Sequence, residues 1–391
     1  MKKILLIAAA AAAVMCANAQ PTVEQLWRVD GMATLAPTAD CRQGFGMNGK
    51  VYINNKADQK VLVFGENGLT NEEFPGGANT GITRDEAGNI IVVLNGWPGK
   101  WTSDGVTPTI KVYNPNDPTI VKEYFIPTDL VFPDAPDTNH PARCDFIGFA
   151  KGNLLENGEL YYVPGSAGET MMKLVITDGE VDLDESYVPT INGGVSPTSS
   201  NLIHCYVNKD GAERLLYVVR NAPIKILAAD GDNFMVESAP TFPGKSASNG
   251  AQIFVWNGEE YGVYPSGGNY LDGFSIAKMG EAEAFYVKTP ELGANPNGFQ
   301  ANWVNAEVVE DGVMIYHYVP GGYVEAFKMT QEGGVSTGDV NGDGEVDVRD
   351  ITALIDVIMN SITDNPRADV NADGDIDVRD ITALIDIIMN S

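Results

Sequence analysis

The chain has few basic residues, few cysteines and few histidines. It contains 25 lysines and arginines against 53 aspartates and glutamates, which gives a net charge of −28. Because nucleic acid and anionic membranes both require a basic face, this balance excludes them as partners. The 3 histidines have no metal-ligand spacing. A Gly-x-Ser-x-Gly nucleophile turn and a glycine-rich phosphate loop are also missing, so the common hydrolase and nucleotide-dependent chemistries have no signature here.

Long apolar runs are absent after the N-terminus. Basic residues precede one apolar run from Ile4 to Met15, and a small-x-small cleavage pattern follows at residues 17–19. Residues 1–19 are therefore predicted to be a signal peptide, which places the mature protein in the periplasm, at the cell surface or outside the cell. Lipidation at Cys16 and a retained anchor are the alternatives. The run is too short to span a bilayer comfortably, so no membrane span is predicted.

Cysteine is too scarce for a disulfide framework. Cys41, Cys144 and Cys205 remain once the signal peptide is removed. Three cysteines allow one bridge and one free thiol, which oxidising surroundings would favour, or three buried free thiols. The sequence leaves both arrangements open.

The body of the chain, residues 20–330, is rich in glycine and proline and has few helical patterns. Short β-type runs follow turn dipeptides. The glycines of these dipeptides are Gly49, Gly88, Gly158, Gly211, Gly258 and Gly312. Recurrence at about 53 residues, with about four strands per unit, predicts a β-propeller of six blades, alternatively seven. Gln25–Val29 is predicted to complete the last blade and close the ring. A large sandwich or two tandem β-domains would also fit this pattern.

Polar residues open the first strand of several units, where a propeller lines its central channel. The predicted ligand-binding residues are Asp40, Arg42, Arg143, Asp145, His204, Asn249, Gln252, Asn297 and Gln300. We interpret them either as a funnel for a ligand such as a glycan or as side chains that tie neighbouring blades together. Asp40 with Asp145 is the first carboxylate pair to test for glycoside cleavage. Because such a pair depends on separation in space, the sequence leaves the catalytic residues unknown.

A glycine-rich linker at residues 331–337 precedes residues 338–391, which contain two copies of one sequence repeat. Each copy fills positions 1, 3, 5, 7, 9 and 12 of an EF-hand-type loop with oxygen ligands, position 7 through its carbonyl. Loop one offers Asp339, Asn341, Asp343, Glu345, Asp347 and Asp350, and loop two offers Asp369, Asn371, Asp373, Asp375, Asp377 and Asp380. This pattern predicts two bound Ca²⁺ ions. An apolar stripe predicts a helix after each loop: Ile351, Leu354, Ile355 and Ile358, and again Ile381, Leu384, Ile385 and Ile388.

Neither loop has a clear entering helix, and Asp350 and Asp380 fill position 12, where an ordinary EF-hand has glutamate. This pair of loop-then-helix units resembles a type I dockerin. The resemblance implies calcium-dependent binding to a cohesin-like module, an attachment commonly found on polysaccharide-degrading enzymes. It also implies that partner choice depends on the residues after loop position 9, often Ser-Thr in well-known cellulosomes. Here these residues are Val348, Arg349, Val378 and Arg379.

The two copies agree at these positions, so either helix could present the same binding face. The alternative is that the small module packs on its own propeller as a calcium-stabilised cap.

The sequence therefore predicts a mainly β protein with a propeller and a small all-α calcium-binding dockerin-like module. The predicted function is that of a secreted protein that docks to a cohesin-like partner and whose propeller binds a polysaccharide or another ligand. A propeller-fold glycoside hydrolase or polysaccharide lyase in polysaccharide catabolism is the alternative, and whether the chain is an enzyme stays open.

Overall fold

The structure is a computed structural model. It describes residues 21–94, 109–127, 144, 146–163, 171–193, 201–219, 223–245, 250–266, 273–288, 301–331, 338–342, 346–360, 362, 365, 367–371 and 374–390. The predicted signal peptide and nearly all of the predicted linker lie outside these residues. The chain divides into two compact units. One comprises Glu24–Val308 and Val313–Lys328, and the other comprises the chain from Met329 onward with Val309–Gly312 and the N-terminal residues to Val23.

The strands form six sheets, each of which is one propeller blade. The first three blades follow the chain order. Blade 1 contains β2 (Gly44–Met47), β3 (Lys50–Asn55), β4 (Lys60–Gly65), β5 (Gly68–Leu69) and β6 (Phe74–Pro75); blade 2 contains β7 (Ile82–Arg84), β8 (Ile90–Val93), β9 (Thr109–Asn114) and β10 (Asp117–Phe125); blade 3 contains β11 (Lys151–Asn153), β12 (Asn157–Tyr162), β13 (Met172–Thr177) and β14 (Glu180–Val181).

The last three blades complete the ring. Blade 4 contains β15 (Ile191–Asn192), β16 (Asn201–Val207), β17 (Glu213–Val219), β18 (Lys225–Asp230) and β19 (Asn233–Ser238); blade 5 contains β20 (Gln252–Trp256), β21 (Glu259–Ser266), β22 (Gly273–Lys278) and β23 (Tyr286–Val287); blade 6 contains β24 (Trp303–Val309), β25 (Gly312–Val319), β26 (Tyr323–Gln331) and β1 (Pro21–Asp30). In blade 4 the short β15 pairs with β19 in parallel, whereas β16 with β17 and β18 with β19 pair antiparallel. The helices in the described part of the chain are α1 (Met32–Leu35), α2 (Val348–Met359) and α3 (Val378–Asn390).

The six-bladed prediction is confirmed, and so is the closure of the ring by the first strand. β1 pairs with β26 at the edge of blade 6, so the start of the chain completes its last blade. The described part of the chain contains no seventh sheet. The seven-bladed, sandwich and tandem-domain interpretations are therefore wrong. In the wide interval between Gly88 and Gly158, the described strands are the rest of blade 2, including the nine-residue β10, and the start of blade 3.

The turn dipeptides act as predicted at some hairpins but not at all of them. Asn48-Gly49 and Asn257-Gly258 both have the paired positive φ angles of a tight two-residue hairpin turn. Asn157, by contrast, already pairs with Asn153 across β11 and β12. The turn of that hairpin therefore lies at residues 154–156, immediately before the predicted turn dipeptide at residues 157–158.

Polar side chains near the innermost strands connect neighbouring blades. The Gln43 amide accepts hydrogen bonds from the backbone N–H groups of Ile82 (3.1 Å) and Ile147 (3.1 Å) and donates to the Ile147 carbonyl (2.8 Å). One side chain thus joins the segments that lead into blades 1, 2 and 3. The Asn305 amide of blade 6 bonds both backbone groups of Gly46 in blade 1, at 2.7 Å and 2.9 Å. Satisfied buried amides of this kind fix the position of each sheet against the next.

A buried glutamate holds the strand that closes the ring. Glu325 on β26 is 0% exposed and accepts a 2.6 Å hydrogen bond from the Gln25 amide of β1. Its other oxygen lies 2.9 Å from Nδ1 of His317, whose Nε2 lies 2.7 Å from Oδ1 of Asn302. Arg28 of β1 adds a guanidinium nitrogen at 3.7 Å. A buried carboxylate with several partners is costly to disturb, because each partner that loses it remains buried and unmatched.

Replacing this carboxylate should therefore destabilise the propeller strongly. We expect Glu325→Ala to lower the free energy of unfolding by about 3–5 kcal/mol, measured by urea denaturation. The control is Glu123→Ala, which removes an exposed ion pair with Lys111 (3.1 Å) and should cost about 1 kcal/mol or less. Equal losses in the two variants would contradict the role given to Glu325.

Candidate functional site

Each predicted calcium loop leads directly into a helix, and loop residues cap that helix. In the first copy, the backbone N–H of Asp347 donates to Oδ2 of Asp350 (2.9 Å), and the N–H of Arg349 donates to Oδ1 of Asp347 (2.8 Å). The second copy repeats both bonds at 2.8 Å and 2.7 Å. Loop positions 9 and 12 thus form a reciprocal capping box for α2, and their counterparts do the same for α3.

The position-12 carboxylates also hold the start of each loop. The remaining oxygen of Asp350 accepts from the backbone N–H of Asn341 (3.0 Å), and that of Asp380 from Asn371 (3.1 Å). Both carboxylates are 0% exposed. In loop two the backbone N–H of Gly374, at position 6, donates to the position-1 carboxylate of Asp369 (3.0 Å). Hydrogen bonds therefore join positions 3, 9 and 12 in both loops, and positions 1 and 6 in loop two.

The donor set fits a hard cation. Asp339, Asp350 and Asp380 are buried carboxylates, and burial of like charges in a small unit requires neutralisation. Oxygen ligands of carboxylates and carbonyls are those that Ca²⁺ prefers. The predicted ligands Asp343, Glu345 and Asp373 lie outside the described residues. Within the described ranges, no group of three or more histidine, cysteine, aspartate or glutamate side chains is placed to hold a metal ion.

The predicted partner-binding arginines lie against the calcium loops. Nε and Nη2 of Arg349 donate to the Asp347 carboxylate at 2.9 Å and 2.7 Å, and Arg379 makes the same contacts with Asp377 at 3.0 Å and 2.8 Å. The hydrogen bonds from these guanidinium groups lower the pKa of both aspartates below the usual range. The arginines therefore sit at the boundary between each loop and the exposed face of its helix.

The two helices expose matching apolar faces. On α2, Val348, Ile355 and Met359 are 67%, 42% and 78% exposed. The equivalent residues of α3 are 68%, 42% and 80% exposed: Val378, Ile385 and Met389. The predicted stripe is therefore wrong for Ile355 and Ile385, which lie outside the small core. Val357 packs with Leu354, Leu384, Val340 and Val370 in that core instead. Helical periodicity alone allowed either side of Leu354 to face inward.

Loop one differs from loop two in that the guanidinium group of Arg367 lies near its position-1 carboxylate. Nη1 of Arg367 is 3.9 Å from Oδ2 of Asp339, the position-1 carboxylate. A Cβ atom on Gly342 would clash with the same nitrogen, and Gly342 has a φ of +75°. A side chain at position 4 of loop one would therefore strain the backbone and displace the Arg367 guanidinium, whereas loop two has Ala372 at this position. The residue equivalent to Arg367 in the first copy is Thr337, which has no charge.

The predicted ligand-binding ring is only partly described. Arg143, Asp145, Asn249, Asn297 and Gln300 lie outside the described residues, so the Asp40 and Asp145 pair has no measured separation. Of the others, Asp40 lies 3.9 Å from Nζ of Lys56, and the Arg42 carbonyl accepts a hydrogen bond from Nε1 of Trp303. The ligand-binding role of the ring stays a prediction.

Two described members of the ring make contacts between blades. Nδ1 of His204 accepts the backbone N–H of Phe149 (2.9 Å), and Oε1 of Gln252 accepts that of Ala306 (2.8 Å). Burial, with a smaller contribution from Arg84, lowers the pKa of His204 to about 3. His204 is therefore neutral at physiological pH, as an acceptor of a backbone hydrogen bond must be.

The three cysteines of the body are free thiols. Cys41 and Cys144 are buried and Cys205 is partly buried. Burial raises the pKa of the Cys41 thiol to about 12 and raises that of Cys205 as well. Cys41 and Cys205 are therefore poor nucleophiles.

Deleting one position-12 carboxylate should remove one calcium ion. Asp350→Ala loses two hydrogen bonds to backbone N–H groups and one ligand of loop one, so we expect calorimetric titration of the full chain to show one Ca²⁺ rather than two. The smaller unit should lose roughly 3 kcal/mol of stability. Asp356→Ala, on the exposed side of α2, is the control and should leave two ions. Unchanged stoichiometry in Asp350→Ala would contradict the ligand assignment.

Removing the guanidinium from loop one should change that loop alone. Arg367→Ala deletes a positive charge beside the position-1 carboxylate, so we expect calcium affinity at loop one to rise roughly three- to tenfold, with loop two unchanged. Calcium titration followed by calorimetry separates the two sites. Lys209→Ala, which removes an exposed charge from the propeller, should change neither affinity. Equal shifts at both loops would show that Arg367 acts only through net charge.

No helix in the described part of the chain is long and apolar enough to cross a membrane.

A family model agrees with the geometry of the two loops and helices. Residues 337–389 match the model described as the dockerin type I domain. Among curated proteins, none matches this chain.

Solved structures were also compared with the whole chain. The major allergen Mala s 1 of Malassezia sympodialis is 9% identical with a TM-score of 0.44, over 77% of this chain and 96% of its own. A protein of unknown function from Dyadobacter fermentans is 10% identical with a TM-score of 0.44, over 79% and 100%. One from Bacteroides caccae, also of unknown function, is 13% identical with a TM-score of 0.34, over 72% and 90%.

The capping geometry of the two loop-then-helix units and the family match agree with each other. Residues 337–389 of this chain are a type I dockerin domain, and the body that precedes them is a six-bladed β-propeller.

Proposed function

We propose that the dockerin domain attaches this propeller to a cohesin-like module of a partner protein, in a calcium-dependent manner and outside the cytoplasm. The observation that carries the proposal is the pair of matching apolar faces on α2 and α3. In each, a valine, an isoleucine and a methionine lie on one side of the helix and are exposed to nearly the same extent. Exposed apolar side chains grouped in this way are typical of a surface that a partner covers.

The spacing of these residues supports a continuous face. Val348, Ile355 and Met359 are separated by seven and then four positions, and residues at such spacings share one side of a helix. Val348 is the first residue of α2, so the face begins at the calcium loop and runs to the C-terminal end of the helix. A cohesin-like module bound there would bury a methionine and two branched side chains, which are suitable central anchors when a polar rim surrounds them.

Calcium would act on this face through the loop. Asp350 connects the start of the loop to the start of α2, since it accepts hydrogen bonds from both Asn341 and Asp347. Calcium, when bound, neutralises the loop carboxylates and fixes the loop against the helix. Arg349 bridges the same boundary through its contacts with Asp347. Loss of calcium is therefore expected to disorder the N-terminal end of the binding face first.

The near identity of the two copies supports two modes of binding. Each helix offers the same three apolar residues, and an arginine in the same contact with an aspartate follows the valine. A partner that recognises one face would recognise the other after rotation of the domain by about half a turn. Packing of the dockerin domain on its own propeller is the alternative occupant of these faces.

Charged substitutions on the two apolar faces test whether the dockerin domain docks and whether either face can bind the partner. Val348→Asp and Val378→Asp leave the loop ligands intact and place a charge on one face each. We expect each single variant to weaken binding of a panel of immobilised cohesin modules by about twofold, and the double variant by roughly a hundredfold or more. Surface plasmon resonance with calcium and with a chelator measures both effects. Leu183→Asp, at an exposed position of the propeller, should bind like the parent chain.

Two outcomes would contradict parts of the proposal. Loss of binding in a single variant would show that only one face is used. Failure of the parent chain to bind any cohesin in the panel, together with a lower propeller melting temperature in the double variant, would favour packing of the dockerin domain on its own propeller.

A further inference from the structure

A pocket of about 170 Å³ lies between blades 3 and 4, and we call it the interblade pocket. Its lining includes Lys151, Glu159, Tyr161, Lys173 and Tyr187 from blade 3 and its loop. Blade 4 adds residues of β16, β17, β18 and β19. The described members of the predicted ring are not among its lining residues. The pocket is therefore a separate feature of the propeller.

The wall from blade 3 consists of residues that share one face of the sheet. Lys151 lies directly opposite Glu159 across β11 and β12, and Tyr161 lies opposite Lys173 across β12 and β13. Glu159 and Tyr161 are two positions apart on β12, so their side chains project to the same side. All four side chains are therefore held by regular strand pairing rather than by a loop.

The facing wall from blade 4 is built in the same way. Cys205 pairs with Leu215 across β16 and β17, and Val207 pairs with Glu213. The Tyr161 ring of blade 3 meets the Phe234 ring of blade 4 edge to face, with centroids 5.7 Å apart. This aromatic contact forms an apolar base where the two blades meet.

Ion pairs surround the polar part of the pocket. Nζ of Lys151 is 2.8 Å from Oε1 of Glu213, across the two blades. Nζ of Lys173 is 3.2 Å and Nζ of Lys151 is 4.0 Å from Oε1 of Glu159. Donors and acceptors therefore alternate around the opening. Such an arrangement matches a hydroxyl group, which donates one hydrogen bond and accepts others.

The balance of charge in the pocket restricts the ligand. Three acids and three bases line it: Glu86, Glu159, Glu213, Lys151, Lys173 and Arg214. This neutrality contrasts with a net charge of −28 for the whole chain. A charged ligand would compete with one member of an existing pair and leave the other unmatched, at a cost in affinity. A neutral ligand with several hydroxyl groups would keep every pair.

The backbone of one aromatic lining residue, Tyr187, is fixed by hydrogen bonds. Tyr187 exchanges two backbone hydrogen bonds with Lys173, at 2.9 Å and 3.1 Å, although it lies outside the named strands. Its ring is partly exposed, and Nζ of Lys173 is 5.8 Å from the ring centroid. A preorganised ring beside paired donors and acceptors suits a ligand that has an apolar C–H face and polar edges.

We propose that the interblade pocket binds one neutral, polyhydroxylated ring, such as a single sugar residue of a glycan. Tyr187 supplies the surface on which the C–H face of the ring packs. Lys173, Glu159 and Lys151 donate to and accept from its hydroxyl groups. The pocket is smaller than the roughly 300–1,000 Å³ of sites for drug-sized ligands, so it accommodates one ring rather than an extended chain. Docking through the dockerin domain is not required for this binding.

The test uses the full chain and a panel of probes of known charge. Neutral methyl glycosides of common hexoses and pentoses are compared with glucuronate and glucosamine by saturation-transfer NMR and calorimetry. We expect at least one neutral glycoside to bind more tightly than either charged probe. Tyr187→Ala and Lys173→Met should each weaken its binding by at least roughly tenfold, with the melting temperature nearly unchanged, since both side chains are partly exposed.

Blade 5 provides a matched control. There Lys278 lies opposite Tyr261, and its Nζ is 3.0 Å from Oε1 of Glu259, which repeats the arrangement around Lys173 without this pocket. Lys278→Met should leave glycoside binding unchanged. Equal loss in Lys278→Met, tighter binding of a charged probe, or no binding of any neutral glycoside would each overturn the proposal. If Lys173→Met fails to fold, Glu159→Gln tests the same hydroxyl contacts with the strand geometry kept.

Discussion

The closure of the ring by β1 depends on one buried carboxylate, that of Glu325. Glu325 is fully buried, and it holds Gln25 and Arg28 of the closing strand as well as His317 of its own blade. β1 pairs with the outer edge of β26 and completes the last blade, so this contact holds the first strand of the chain against the last one. The amides of Gln43 and Asn305 add further contacts between neighbouring blades.

In the dockerin domain, too, a few acidic side chains each have several roles. Asp350 is a predicted calcium ligand, a member of the capping box of α2 and the acceptor that fixes the start of loop one. If Asp350 binds calcium as predicted, metal binding and helix formation are coupled through one side chain, as expected for a unit with a core this small. The apolar faces that remain exposed on α2 and α3 begin at these caps.

The charged side chains of the propeller and of the dockerin domain are arranged differently. The dockerin domain has buried carboxylates that are predicted calcium ligands, whereas the interblade pocket has charges that already neutralise one another. The first arrangement suits a metal, and the second suits a neutral ligand with hydroxyl groups. Two of the described polar residues of the predicted ring, His204 and Gln252, instead accept hydrogen bonds from backbone groups of a neighbouring blade. Position on an innermost strand is therefore compatible with a purely structural role.

The sequence by itself determined the features that depend on local spacing. Turn glycines marked six blades, and the doubled loop marked the dockerin domain, because ligand positions and hairpin turns need particular residues at fixed intervals. Only the tertiary structure decided which features meet across long separations. In the structure, the Arg367 guanidinium lies near the Asp339 carboxylate, and Lys151 forms an ion pair with Glu213. Ile355 is exposed, whereas Val357 is buried in the core. The helical spacing of apolar residues does not by itself decide whether Ile355 or Val357 packs beside Leu354. Contacts between blades join residues that are far apart in the sequence, and no local pattern specifies them.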